Sequence, residues 1–335
     1  MRKRRFKRDT LRNKSFLVLF FKKEHTFYLI PRTRSMSLIP FDDRDGMIWW
    51  DGALIPWRDA KLHVLTHGLH YASAVFEGER AYAGHIFRLR EHTDRLINSG
   101  RILGFEIPWT AEQIDQACIE TLAANGLTEG YLRPLAWRGS EQLAVSAQHT
   151  KIHLAIACWT WPAYFAGDRM AGIKLGWADW RRPDPRTAPT ASKATGNYMT
   201  GTLAKHKAEA EGFADAMMLD YRGLLAEATG ANAFFVIDGA LHTPEPDCFL
   251  DGITRRAVMG LARRRQIPVI QRAMGPEELG RVSEVFLAGT AAEVTPVSQI
   301  GEHRFTPGQL TQTLVEDYAA LVRMAPEEVA SRLAA

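Results

Sequence analysis

Apolar and polar positions follow two rhythms along the chain, and the changes between them set the predicted elements. Met47 to Trp57 reads as two short strands around Asp51-Gly52, a dipeptide whose two positions tolerate the positive φ of a tight hairpin turn. A loop-rich stretch, Lys61 to Gly84, precedes a helix over Leu89 to Ile102. Thr110-Ala-Glu-Gln113 has the capping-box pattern and opens a helix with Ile114, Cys118 and Leu122 on one face, which Gly126 ends as a C′ residue. Strand-like runs follow at Tyr131 to Trp137 and Lys151 to Trp159.

Trp161 to Arg186 is rich in Trp, Pro and Gly without clear periodicity, which suits a connector. Beyond it the pattern predicts a helix over Asn197 to Glu211 and a strand pair, Ala216 to Asp220 and Leu224 to Glu227, around Arg222-Gly223. A hairpin, Phe234 to Ile237 and Ala240 to Thr243, turns at Asp238-Gly239. A helix (Thr254 to Arg264), strands at Val269 to Arg272 and Glu284 to Ala288, a Gly-Thr-Ala-Ala turn and a closing helix over Pro307 to Arg323 complete the chain, and no internal repeat is visible. The expected fold class is α/β (α+β), in two domains: a small one over 47–160 and a large one over 187–335, joined by 161–186 and preceded by a basic extension over 1–46 that is disordered or non-native.

Composition narrows the function classes. Of 335 residues, 46% are hydrophobic and 24% charged, an ordinary globular balance. The longest apolar run near the start, Phe16 to Phe21, is far short of the ~20 residues of a membrane span. Cys118, Cys158 and Cys248 lie far apart without metal spacing, so neither a disulfide framework nor a cysteine-built zinc site is expected, and a reducing cytoplasm fits. The formal charge of +4 is unevenly spread: residues 1–35 hold 12 Lys/Arg against Asp9 and Glu24, a net +10, while the other 300 carry 30 basic and 36 acidic side chains. A basic arm and an organellar signal are alternatives for that stretch, but the favoured reading is translated sequence upstream of a start at Met36. The acidic body argues against a nucleic-acid-binding protein.

Four places attract chemistry. Lys193 sits among small residues in Ala188-Pro-Thr-Ala-Ser-Lys-Ala-Thr-Gly-Asn-Tyr198 at the presumed domain junction, where a desolvated amine suits Schiff-base formation; the plainer alternative is a solvated lysine. Glu227 ends a strand before Ala-Thr-Gly and points into a cleft or simply to solvent. Gly252-Ile-Thr-Arg255 and Gly289-Thr-Ala-Ala292 place glycine and hydroxyl residues where backbone N–H groups hold an anion, or serve as plain caps. Phe76-Glu-Gly-Glu-Arg80 ends in a possible phosphate clamp, and the upstream pair His67 and His70 lacks the ligands that would complete a metal set, so no metal is expected.

The order of these pieces resembles the fold-type IV pyridoxal-phosphate enzymes (D-amino-acid-aminotransferase-like), and among them the branched-chain amino acid aminotransferases. The resemblance runs from about Met47 to Val322 through His67-Gly-Leu-His-Tyr71 with Val75-Phe-Glu-Gly78, Tyr131-Leu-Arg-Pro134, the run ending Gly-Asn-Tyr198, Glu227-Ala-Thr-Gly-Ala-Asn232, Gly252-Ile-Thr-Arg255 and Gly289-Thr-Ala-Ala-Glu-Val-Thr-Pro296. It implies pyridoxal 5′-phosphate as cofactor, with Lys193 as its catalytic lysine and Glu227 paired with the pyridine nitrogen. Tyr198 is implied on the phenolic oxygen, Arg80, Ile253, Thr254 and Thr290 on the phosphate, and Leu250 beside the cofactor. Tyr131 and the backbone of Thr290-Ala291 are implied for the substrate α-carboxylate, Arg133 for the distal carboxylate of glutamate, and Tyr71, Phe76, Trp161 and Tyr164 for an apolar pocket.

Two departures bear on substrate preference: Ala231 replaces a second glutamate common in the family, and Trp137-Arg-Gly-Ser-Glu-Gln-Leu-Ala-Val145 has a charged pair in place of a more apolar loop. The implied function is reversible ping-pong transfer of the amino group from L-leucine, L-isoleucine or L-valine to 2-oxoglutarate by a cytoplasmic homodimer or higher oligomer, with no nucleic-acid or membrane partner. The rivals are a D-amino-acid or (R)-amine transaminase and, more weakly, an aminodeoxychorismate lyase.

Overall fold

A computed structural model describes residues 39–161 and 168–333. The expectations for residues 1–38, including most of the basic extension, and for Tyr164 lie outside the described residues.

Seven strands form the first sheet: Met47–Trp50 (β1), Ala53–Pro56 (β2), Ala74–Phe76 (β3), Glu79–Tyr82 (β4), His85–Ile86 (β5), Gly130–Arg138 (β6) and Ile152–Trp159 (β7). Their order is β2-β1-β7-β6-β4-β5, and β3 also pairs with β6. The opening hairpin forms as expected, with Asp51 at φ 48° and Gly52 at φ 106°. Helix α1 (His67–Tyr71), together with β3 and β4, occupies the stretch expected as loop; these pieces are three to five residues long, too short for periodicity to reveal. Helices α2 (Leu89–Ile102) and α3 (Ala111–Ala124) cover one face of the sheet, packing Leu96, Ile114, Cys118 and Leu122 against Leu132, Leu154 and Ile156. Each such fully buried aliphatic contributes roughly 1.5–3 kcal/mol of transfer free energy. The Thr110/Gln113 capping box is made in both directions.

Nine strands form the second sheet: Ile173–Trp177 (β8), Asp215–Leu219 (β9), Leu225–Ala228 (β10), Asn232–Ile237 (β11), Ala240–Thr243 (β12), Val269–Gln271 (β13), Glu284–Gly289 (β14), Glu293–Ile300 (β15) and His303–Arg304 (β16). The path β10-β9-β8-β15-β14-β11 closes on itself, because β10 also pairs with β11 through Glu227 and Asn232. Every residue of β11 is buried, since Ala233, Phe235 and Ile237 belong to one core cluster while Phe234 and Val236 pack into another beneath helices α5 (Ile253–Arg264) and α6 (Gln309–Leu321). That two-sided burial explains its unbroken apolar run. Helix α4 (Met199–Ala210) packs on β9, and α7 (Pro326–Leu333), unforeseen from the sequence, packs on α5.

Two further strands escape the sequence pattern. β8 lies inside the expected connector; its Gly176 is no breaker, for a Cβ there would come 2.9 Å from the Phe213 ring. β15 contains Pro296, a residue that argues against a central strand, yet Pro296 sits opposite Phe286. Residues Phe41–Ala335 cluster as one compact unit. The three cysteines are free and buried, and among the described residues no helix is long and apolar enough to cross a membrane.

Candidate active site

The segment carrying Lys193 has little regular structure, and hydrogen bonds to its neighbours hold it. The Lys193 N–H donates to Ser99 Oγ at 3.0 Å, and its carbonyl accepts from the Phe76 N–H at 3.1 Å. Ser192 Oγ donates to the Ser99 carbonyl at 3.0 Å, and Asn197 Nδ2 donates to the Pro189 and Ser192 carbonyls, each at 3.0 Å. The lysine backbone is thereby fixed to α2 and β3. Its Nζ donates to the Tyr198 hydroxyl at 2.8 Å and lies 4.8 Å from the Phe76 ring centroid. Lys193 is half-buried rather than solvated as an isolated surface lysine would be.

Glu227 is buried where β10 meets β11, not exposed at a strand end. Burial pushes its carboxyl up, while the positive charges of Arg182, Lys193 and Arg255 oppose that shift. Arg182 Nε lies 3.0 Å from one carboxylate oxygen and Asn232 Nδ2 donates to the other at 3.0 Å. Both acid and lysine line a single cleft with Tyr198, Leu250, Ile253, Thr254 and Thr290. The cleft encloses about 710 Å³ of empty space, its open mouth included.

One end of this cleft suits an anion. Gly252 caps α5, whose first N–H groups have no acceptor within the helix, and the Gly289-Thr290 turn lines the same cleft. Gly252 is required sterically: a Cβ would fall 2.2 Å from Asn232 Oδ1. Arg80 is not among the residues lining the cleft; its Nη1 pairs with Glu293 at 3.1 Å, and its buried Nε has no hydrogen-bond partner among the described residues. Glu293, at a left-handed φ of 53°, also accepts from the Tyr82 hydroxyl at 2.9 Å and from Arg169 at 2.5 Å.

An aromatic wall begins where Phe76 meets Tyr198 edge-on at 4.8 Å. Arg133 stands 4.7 Å over Phe76 and donates to the Tyr131 hydroxyl at 3.1 Å, and Tyr131 stacks on Trp161 at 4.7 Å. Tyr131 and Arg133 share a face of β6 by strand alternation. Tyr71 is not part of this wall: it is 46% exposed and stacks on His67. Ala291 continues the turn from Thr290 but does not line the cleft. His67 and His70 are engaged with the Ala144 and Val64 carbonyls at 2.8 and 2.9 Å.

Sequence reasoning missed a buried cluster beneath the lysine. Glu77 takes Arg95 in a two-pronged bond (2.6 and 2.8 Å) and His92 Nδ1 at 2.7 Å. Burial would raise the Glu77 carboxyl, but Arg95 and His92 outweigh it and hold the acid far below the usual carboxylate range. Arg95 reaches the cleft itself. The signal was the i, i+3 spacing of His92 and Arg95 on one helix face. Arg182 had no such signal.

Residues 74–300 match the amino-transferase class IV family. A branched-chain-amino-acid aminotransferase of Pseudomonas aeruginosa is 39% identical over 288 residues, covering 84% of this chain and 94% of that protein. The crystal structure of a branched-chain aminotransferase from Thermoproteus uzoniensis with norvaline superposes with a TM-score of 0.82 at 35% identity, over 86% of this chain and 98% of the other. A pyridoxal-phosphate (holo) form from Thermobaculum terrenum superposes with a TM-score of 0.76 at 31% identity, over 83% and 94%. The lysine, acid and anion seat therefore stand on a fold-type IV framework, and the chain belongs to the class IV aminotransferases, within the branched-chain-amino-acid aminotransferase family.

Proposed function

We propose that this protein reversibly transfers the amino group of L-leucine, L-isoleucine or L-valine to 2-oxoglutarate by a ping-pong mechanism, with pyridoxal 5′-phosphate in the cleft. The observation that carries the reading is the meeting of the half-buried Lys193 amine, the buried Glu227 carboxylate and the N-terminus of α5 in one cleft. These groups fit an aldehyde, a protonatable ring nitrogen and a phosphate dianion respectively. When bound, the cofactor supplies the electron sink for the bond broken at the substrate Cα and carries the amino group between half-reactions.

Lys193 Nζ takes the proton from the substrate Cα and later returns one, and the Tyr198 hydroxyl keeps that amine aimed. Thr254, Thr290 and the first N–H groups of α5, including that of Ile253, hold the phosphate; Arg80, outside the cleft lining, joins them through its Nε, unpartnered among the described residues, and Leu250 borders the ring. Tyr131 and the backbone of Thr290-Ala291 take the α-carboxylate. Phe76 and Trp161 border an alkyl side chain, Tyr71 joins them from a second copy of the chain, and Arg133 turns to the distal carboxylate of glutamate. Donor and acceptor use the same carboxylate seat, so the first product leaves before the second substrate enters.

A homodimer or higher oligomer fits the surface. Val64, Leu65, Leu69, Leu143 and Val145 are exposed beside Tyr71, in two segments joined by the bond from His67 to Ala144. A second copy covering them would bring Tyr71 toward the neighbouring site; sedimentation of the holoenzyme as a monomer would refute this.

The test of the main reading is a panel of paired L and D donors with 2-oxoglutarate on the purified holoenzyme. The branched L-amino acids are expected to be the best donors, and faster turnover of D-alanine or (R)-1-phenylethylamine overturns the assignment. Lys193→Ala should abolish both transamination and the visible absorbance of the lysine-bound cofactor; persistence of that band excludes Lys193 as its attachment.

A further inference from the structure

The wall behind Glu227 contains a cation from a distant part of the chain. Arg182 is buried, and both its ends are fastened. Its backbone N–H donates to the Leu219 carbonyl at 2.8 Å, and it bridges to Asp220 beside β9. Its Nη2 donates to the Ala228 and Thr229 carbonyls at 3.0 and 3.1 Å, which leaves Nε 3.0 Å from Glu227 Oε1. The other carboxylate oxygen is fixed by Asn232, whose Nδ2 is held in turn by the Leu250 carbonyl at 3.0 Å. We propose that Arg182 is a positioning residue, orienting and charge-balancing the Glu227 carboxylate toward the pyridine nitrogen of the cofactor, an inference that rests on the functional reading above.

A carboxylate withdrawn from water tends to take up a proton unless an opposite charge lies beside it, and a neutral acid cannot pair with a protonated ring nitrogen. Two oxygens offer about four acceptor positions. Asn232 hydrogen-bonds one oxygen, and Arg182 Nε, which makes no hydrogen bond among the described residues, lies against the other as a charge partner, so the carboxylate keeps acceptor capacity for a partner on the cleft side. A lysine would supply the charge but not the planar fork whose Nη2 holds two carbonyls while the rest of the guanidinium lies against the acid. The competing possibility is that Arg182 merely staples the Ala228-Thr229 turn through those carbonyls.

The two roles separate in binding. The wild type and the Arg182→Met, Arg182→Lys, Glu227→Gln and Arg182→Met/Glu227→Gln variants would be titrated as full chains with pyridoxal phosphate and with 1-deazapyridoxal phosphate, which has C–H in place of the ring nitrogen, following tryptophan fluorescence. Arg182→Met should weaken pyridoxal phosphate by about tenfold or more, matching loss of a charge-assisted contact, while leaving the deaza analogue within roughly twofold. Glu227→Gln should behave alike, the double variant should be no worse than either single change, and Arg182→Lys should lose less. Equal weakening of both ligands by Arg182→Met, or additive losses in the double variant, overturns the proposal in favour of a staple. If Arg182→Met does not fold, Arg182→Lys decides: loss confined to pyridoxal phosphate supports the proposal, and equal loss refutes it. A wild type that binds neither ligand refutes the cofactor reading and this inference with it.

Discussion

At the scale of single residues, the site depends on small groups that make room as much as on groups that react. Gly78 is the clearest case: a Cβ there would fall 1.9 Å from the Tyr131 hydroxyl. That ring stacks on Trp161 and its hydroxyl accepts from Arg133, so it has little freedom to yield. Gly78→Ala should therefore shift Tyr131 and raise the KM for amino donors by about tenfold, an overpacking cost of ~1–3 kcal/mol, with affinity for pyridoxal phosphate nearly unchanged. Steady-state kinetics beside a cofactor titration checks this, and an equal fall in cofactor affinity would place the damage elsewhere. Lys193 and Glu227 were legible because residue type and local motif coincide. Arg182 was not, because its role exists only after the chain brings the connector against β10.

At the scale of elements, β4 separates two environments by alternation. Arg80 and Tyr82 point to the Glu293 side, whereas Glu79 and Ala81 are buried toward α2 and α3. Glu79 is fully buried, and neither oxygen has a hydrogen-bond partner among the described residues. Burial and the neighbouring Glu77 charge push its carboxyl well above the ordinary range, with the Cys118 thiol working the other way. The folded protein thus binds a proton that the unfolded chain releases near pH 4.5, so stability is greatest below that value and falls as pH rises toward the folded pKa, by up to about 1.4 kcal/mol per pH unit from this group. Glu79→Gln should remove that component, so its stability relative to wild type should grow between pH 5 and pH 8 in urea unfolding; a pH-independent difference would show that Glu79 titrates normally. The hairpins at Asp51-Gly52 and Asp238-Gly239 were readable because turn chemistry is local, as was the capped start of α3. β8 and β15 were not, because Gly176, there to admit the Phe213 ring, and Pro296, opposite Phe286, read locally as breakers while tertiary packing keeps both in strands.

At the scale of the whole molecule, the cleft is gathered from Arg95, Arg182-Pro183, Thr190 to Tyr198, Glu227 to Asn232, Cys248 to Thr254 and Ala288 to Thr290. The polypeptide from α2 to β14 must fold before a cofactor can bind, and cofactor binding should in turn stabilise all of it. None of those residues lies in the basic first 35, which carry the whole positive excess over a body of net charge −6. A protein beginning at Met36 should therefore fold, bind pyridoxal phosphate and transaminate with kcat/KM within roughly twofold of the full chain, because a change in net charge that spares the cleft residues acts mainly on long-range steering and solubility. Its behaviour on ion exchange should reverse, from retention on a cation exchanger near neutral pH to retention on an anion exchanger. Kinetics of the two forms at low and high salt makes the comparison decisive. A loss of activity at both would make the basic segment part of the enzyme, whereas a loss only at low salt would limit its role to attracting the dicarboxylate acceptor.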